Sequence, residues 1–189
     1  MLVELDPLHA GAEELSALAA RLRLPTGFEA DPAVDLDLRQ AFEAAAALVE
    51  RASGRALARR RFRVVVSNWG AGVALTRGPV AALLEVSLEA PDGRVAPVST
   101  TAMRLDALAR PERLVMGAGA GPPAPETGGV IRVDFEAGAG AFAAAPADLR
   151  AATLMIAARW YEAWSAADAE PGVPAAAEAL LAPYRSVRL

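Results

Sequence analysis

The chain has 189 residues, a formal net charge of −4, one histidine and no cysteine. That length suffices for one domain or two small ones, and the acidic balance argues against a dedicated nucleic-acid binder. The absence of cysteine excludes a disulfide frame, a thiolate nucleophile and a zinc–thiolate site. Hydrophobic residues make up 54% of the chain, enough for a sizeable core, although many are alanines that add little buried area each. The opening MLVELDPLHAG has neither a basic leader nor a long apolar core. No apolar run reaches the roughly 20 residues that span a bilayer. A soluble protein made inside the cell is expected.

Asp6-Pro7 reads as a helix start, and Leu15, Leu18, Ala19 and Leu22 keep helical spacing up to the stop at Pro25-Thr26-Gly27. Asp31-Pro32 repeats the start signal, with Asp as cap and Pro at the first helical position. Val34, Leu38, Ala41, Phe42, Ala45, Leu48, Val49 and Ala52 then hold one face of a long helix, and Gly54 ends it.

From Phe62 the period changes. Phe62, Val64 and Val66 alternate, so a strand is expected there. Residues 73–76 and 80–89 read as further strands, with Arg77-Gly78-Pro79 between them and a turn at Pro91-Asp92-Gly93. Weaker strand patterns follow at 94–105 and 113–116. The stretch 117–129, GAGAGPPAPETGG, reads as a flexible loop. Residues 130–135 form the last strand, with Ile131, Val133 and Phe135 alternating against Arg132 and Asp134.

Pro146 and Asp148 then open a helix. Leu149, Ala152, Ile156, Trp160 and Ala163 form one apolar stripe, and Leu154, Ala157, Ala158, Tyr161 and Trp164 form another. A helix apolar on most of its circumference is buried on more than one side. A break at AEPGVP precedes a short helix around 175–181, which Pro183 ends, and the chain closes on Tyr-Arg-Ser-Val-Arg-Leu. The order helices, strands, helices predicts an α+β fold. A helical bundle is built from both chain ends, residues 1–60 and 141–189, and a small antiparallel β unit, residues 61–140, is inserted between them.

No catalytic residue is identified. Lone His9 lacks the partner ligands that a metal site needs, and no Ser-His-Asp, Cys-His or HExxH set can be assembled. Gly138-Ala-Gly140 follows a strand and precedes a helix, as a dinucleotide-binding turn does. The βαβ unit and distal acid that such a turn requires are missing. No cofactor is implied.

Charge is uneven. Residues 1–50 carry ten acids and three arginines, whereas residues 51–63 carry six arginines and no acid. The run Arg55, Arg59, Arg60, Arg61, Arg63 has three readings: a helix-end and strand-edge complement, a pairing surface for acids of a neighbouring subunit such as the acidic helices of residues 1–50, or a contact with passing DNA. Trp160, Tyr161 and Trp164 fit either the core or a subunit contact, where such residues are enriched.

Several phrases stand in order along the chain: Val-Glu-Arg-Ala-Ser-Gly-Arg-Ala-Leu at 49–57, a strand ending Phe-Glu-Ala-Gly138, Pro146, the helix with Ala-Arg-Trp-Tyr-Glu, then Val-Pro, Leu-Leu and Pro-Tyr-Arg. Together they resemble the phage head–tail connector (adaptor) family of long-tailed phages and gene transfer agents. The resemblance covers roughly 15–60 and 130–189, and the β region matches only in pattern. It implies a non-enzymatic ring, with about twelve copies, between the portal protein of a capsid and a tail-side stopper or tail terminator. DNA would pass through the channel without sequence-specific binding, and no membrane is involved. Such a protein is made in the bacterial cytoplasm and resides at the head–tail junction of a phage-like particle. The family's C-terminal segment implies portal docking by Tyr184, Arg185, Val187, Arg188 and Leu189, and a ring implies subunit contacts through Arg55, Arg59, Arg60, Arg61, Trp160, Tyr161 and Trp164. The competing expectation is a small-molecule-binding protein or enzyme with a pocket at the β unit.

Overall fold

The structure is a computed structural model, and it describes residues 1–25, 27, 31–165 and 172–184. The fold is α+β, with four helices and two antiparallel sheets among the described residues. The chain divides into two compact units: Met1–Pro7 with Gly54–Ala139, and Leu8–Ser53 with everything from Gly140 onward.

The first unit holds all eight strands. Strands β1 (Leu2–Glu4), β2 (Arg60–Val66), β4 (Val80–Glu89), β5 (Val95–Pro97) and β8 (Val130–Ala137) form a five-stranded sheet in the order β1-β2-β8-β4-β5. Strands β3 (Val73–Leu75), β6 (Met103–Asp106) and β7 (Glu112–Met116) form a three-stranded sheet in the order β3-β7-β6. The alternation of β8 puts Ile131, Val133, Phe135 and Ala137 inside, and all four are fully buried. Phe135 pairs in register with Phe62 on β2, and the two rings stack with centroids 5.8 Å apart. Val64, Val73, Leu75, Val86, Leu114 and Trp69 complete this core.

The second unit is helical. Helix α1 (Ala12–Leu22) carries half of a capping box: its acidic first turn brings the Glu14 carboxylate to accept from the Gly11 amide at 3.0 Å, and glycine has no side chain to return the bond. Helix α2 (Pro32–Ser53) starts as its sequence predicts, with the Asp31 side chain accepting from the Ala33 amide at 2.9 Å and Pro32 at the first helical position. Leu38, Ala41, Phe42, Ala45 and Val49 are fully buried along its inner face. Helix α3 (Ala147–Ser165) packs on α2, and α4 (Ala175–Leu181) packs on α3. A short 3-10 turn at Phe142–Ala144 leads into α3, and the Phe142 ring meets Phe42 edge-on at 5.1 Å.

Three boundaries differ from those expected. Residues 1–7 and 54–60, expected in the helical unit, belong to the β unit, the former because Leu2–Glu4 pair antiparallel with Phe62–Val64. Asp6-Pro7 therefore ends a strand segment and starts no helix, and α1 begins only at Ala12. The 94–105 pattern splits into β5 and β6, which lie in different sheets. The stretch 117–129 holds turns but no helix or strand, and all strand pairings are antiparallel among the described residues, so Gly138 feeds no parallel βαβ unit.

Candidate functional site

The arginine run lies where α2 gives way to β2, and the structure neutralises most of it locally. Antiparallel pairing brings β1 and the residues after it alongside β2. The Arg60 Nη2 donates to Glu4 Oε2 at 3.2 Å, and its guanidinium stands 4.9 Å from the centre of the Phe62 ring. Arg61 grips Asp6 with two parallel bonds, at 2.8 and 2.9 Å, and adds its own backbone amide at 3.3 Å. That side-chain grip holds the Asp6 carboxyl below the ordinary carboxylate range and raises the Arg61 guanidinium. Arg63 makes a second bidentate pair with Asp134, its cross-strand neighbour on β8, at 2.6 and 2.7 Å, which raises the Arg63 guanidinium. Arg59 donates to the Gly138 carbonyl at 3.4 Å. Arg55 sits half-buried at an isolated bridge to Gly78.

One of the three readings of this run places acids of a neighbouring subunit opposite it. The structure supplies Glu4, Asp6 and Asp134 of the same unit. The run fastens the N-terminal strand and the β2–β8 pair, with the N-terminal amine adding a bond to the Val65 carbonyl at 2.7 Å. Nothing in the spacing of the run could show this, because the partners lie 55 to 71 residues away.

The aromatic trio sits on the last turns of α3. Trp160 and Trp164 lie one turn apart with ring centroids separated by 6.5 Å. Trp164 is 45% exposed. Trp160 is half-buried, and its indole N–H is shielded from solvent without a hydrogen-bond acceptor. Tyr161 is half-buried and engaged in an interaction of its own. Of the first apolar stripe, Leu149, Ala152, Ile156 and Ala163 are buried and Trp160 is half-buried, whereas Trp164 of the second stripe is exposed.

Of the C-terminal group, only Tyr184 is described; Arg185, Val187, Arg188 and Leu189 lie outside the described residues. The Tyr184 hydroxyl donates to Asp148 Oδ2 at 2.7 Å, while Asp148 Oδ1 accepts from the Leu149 amide. Asp148 thus ties the 3-10 turn at Ala182–Tyr184 to the start of α3.

No catalytic constellation appears among the described residues. His9 is exposed, with Glu43 at 3.5 Å, and no cluster of three or more metal-ligating side chains occurs among the described residues. A cleft of about 370 Å³ in the β unit is lined by Val98, Ser99, Thr101, Met103, Met116 and Pro122, among others, without a titratable group. A second, of about 260 Å³, lies between β4 and β6, and Arg104 is its one charged lining residue. No helix among the described residues is long and apolar enough to cross a membrane.

No protein-family model matches the chain, and no curated protein matches it. Solved structures do. The neck of an empty gene transfer agent (GTA) particle, computed with C6 symmetry, contains a chain 31% identical, with a TM-score of 0.79 over 100% of this chain and 97% of that one. The virion of a native GTA particle gives the same values. The neck of a native GTA particle computed with C12 symmetry matches at 29% identity and a TM-score of 0.73, with the same coverage.

Proposed function

Because this chain belongs to the head–tail connector (adaptor) family of phages and gene transfer agents, we propose that it forms a closed ring between the portal of a capsid and the tail. Its role is structural, in the particle neck at the head–tail junction. About twelve copies surround a channel through which DNA passes without being read, and the ring bears on the portal protein on one side and a stopper or tail terminator on the other. The single observation that carries this reading is the end-to-end likeness to a GTA neck chain at 31% identity. Symmetry operators of order six and twelve in the matched necks support a cyclic arrangement.

Within such a ring, the Trp160–Trp164 pair is the anchor we assign to a subunit contact. An exposed indole beside a second one whose N–H lacks an acceptor suits a desolvated, aromatic-rich patch. The segment from Arg185 to Leu189 docks the portal, with Tyr184 held on α3 as its root. The protein catalyses no reaction.

Electron microscopy of portal complexes mixed with the purified protein tests the proposal. A ring of added density on the tail side of the portal is the expected result. Portal complexes that stay unchanged at saturating protein would overturn it.

A further inference from the structure

The five-stranded sheet ends in two edges that match each other. At one end, β1 pairs only with β2 among the described residues. Met1 exchanges bonds with Val65, and the Leu5 amide donates to Arg61, so these residues face β2. By antiparallel alternation, Leu2 and Glu4 turn their N–H and C=O groups outward. At the other end, β5 covers β4 only along Ser87–Glu89, and the Val98 amide reaches the Val86 carbonyl. The Val80 amide is taken by the Glu112 carboxylate at 3.0 Å. Between these points no strand among the described residues pairs with the outer side of residues 81–85, and two register shifts against β8 fall there.

Open edges recruit strands unless something blocks them. The register shifts here twist the edge, so it suits a short, twisted strand better than a flat stack. Strand β1 has three residues, against five in the gap. Leu84 in the gap is 46% exposed, and Met1 beside β1 is 81% exposed. The 260 Å³ cleft between β4 and β6, lined by Val80, Leu83, Met103 and Leu105 among others, adjoins the gap and offers an apolar seat for an incoming side chain.

We infer that the sheet continues from copy to copy, with the outer edge of β1 in one protomer lying along residues 81–85 of β4 in the next. The occupant is a second copy of this chain. The two edges lie on opposite sides of the sheet, so pairing is head-to-tail, the kind of contact that builds a ring when the rotation between copies closes. The arginine fasteners then have a purpose in assembly, because they hold β1 and the residues after it on β2. This inference rests on the ring proposed above.

The absence of native cysteine makes the test clean. Val3→Cys is combined, in separate full-length chains, with Ala82→Cys, Leu83→Cys or Leu84→Cys to sample the register, and each is oxidised after assembly on portal complexes. Within one protomer β1 and β4 are separated by β2 and β8, three strand spacings or about 14 Å, beyond the roughly 7 Å limit for a disulfide. A ladder of covalent multimers in at least one register is expected. A second variant, Leu84→Asp, should abolish rings while leaving the thermal midpoint of the free protein unchanged. Rings that form but give only monomers in every register, or that assemble normally with Leu84→Asp, overturn the edge pairing and leave the ring standing. Failure of the unmodified protein to form rings on portals overturns both.

Discussion

The Asp6–Arg61 pair makes the N-terminal strand responsive to acid. Asp6 has its pKa lowered from 3.8 in the folded protein, chiefly by the Arg61 hydrogen bonds. A depressed carboxyl stabilises the fold above its unfolded-state value and loses that contribution as pH falls through the folded value. Protection of the Val65 amide, which donates to Met1, should therefore fall below about pH 4. The Asp6→Asn variant should show weaker protection at pH 6 and no such step. Hydrogen exchange followed by NMR between pH 2.5 and 6 checks this, and a step that persists in Asp6→Asn would assign it elsewhere. Gly138 is a second sensitive point. Its φ is +111°, and an added Cβ would lie 2.6 Å from the Ala58 carbonyl oxygen. Gly138→Ala should cost at least about 1–3 kcal/mol in chemical denaturation; an unchanged midpoint would show that the turn relaxes freely. The residue pattern made Asp31 legible as a cap, since a cap is a local device. It could not reveal the partners of the arginines, which are brought together only by strand pairing.

Among the elements, long periodic segments were the most readable. β4 runs over the expected residues, and α2 begins and ends on its Asp-Pro and Gly signals because those signals act within one turn of the boundary. β1 escaped notice because three residues are too few for a period, and Asp6-Pro7 beside it imitates a helix start. The division of 94–105 between two sheets was equally hidden, as alternation does not say which sheet a strand joins. The stretch 117–129 carries its own prediction. Replacing 118–126 with a short Gly/Ser link should shift stability by less than about 1 kcal/mol, since closure entropy varies slowly with loop length. Gly117 and Gly129 stay in place because an added Cβ at each would crowd a backbone carbonyl, Ala102 at 3.0 Å and Glu89 at 2.7 Å. Thermal melts of the shortened chain provide the measure, and loss of soluble protein would show that Pro122 and its neighbours support β6.

For the whole molecule, the separation of helical and strand regions was legible from the change of hydrophobic period, and the connector family from the ordered phrases near the chain ends. The indole pair was legible as an aromatic cluster, but its exposure required the packing of α3. Removing 185–189 tests the docking segment without disturbing the Tyr184–Asp148 bond. The truncated protein should keep its helicity and its thermal midpoint yet fail to join portals, as judged by co-sedimentation. Normal co-sedimentation would move docking to another surface. The interleaving of the two units also bears on synthesis. The first strand leaves the ribosome well before its partners, since β2 waits for residues 60–66 and the central β8 for residues 130–137. The helices made next wait in turn for α3, which begins at residue 147. Neither unit can be completed before residue 130 is made, so both must mature almost together once β8 and α3 have emerged. A nascent chain stalled before residue 130 should expose its first strand and α2 to protease, and one extended past the end of α3 should not.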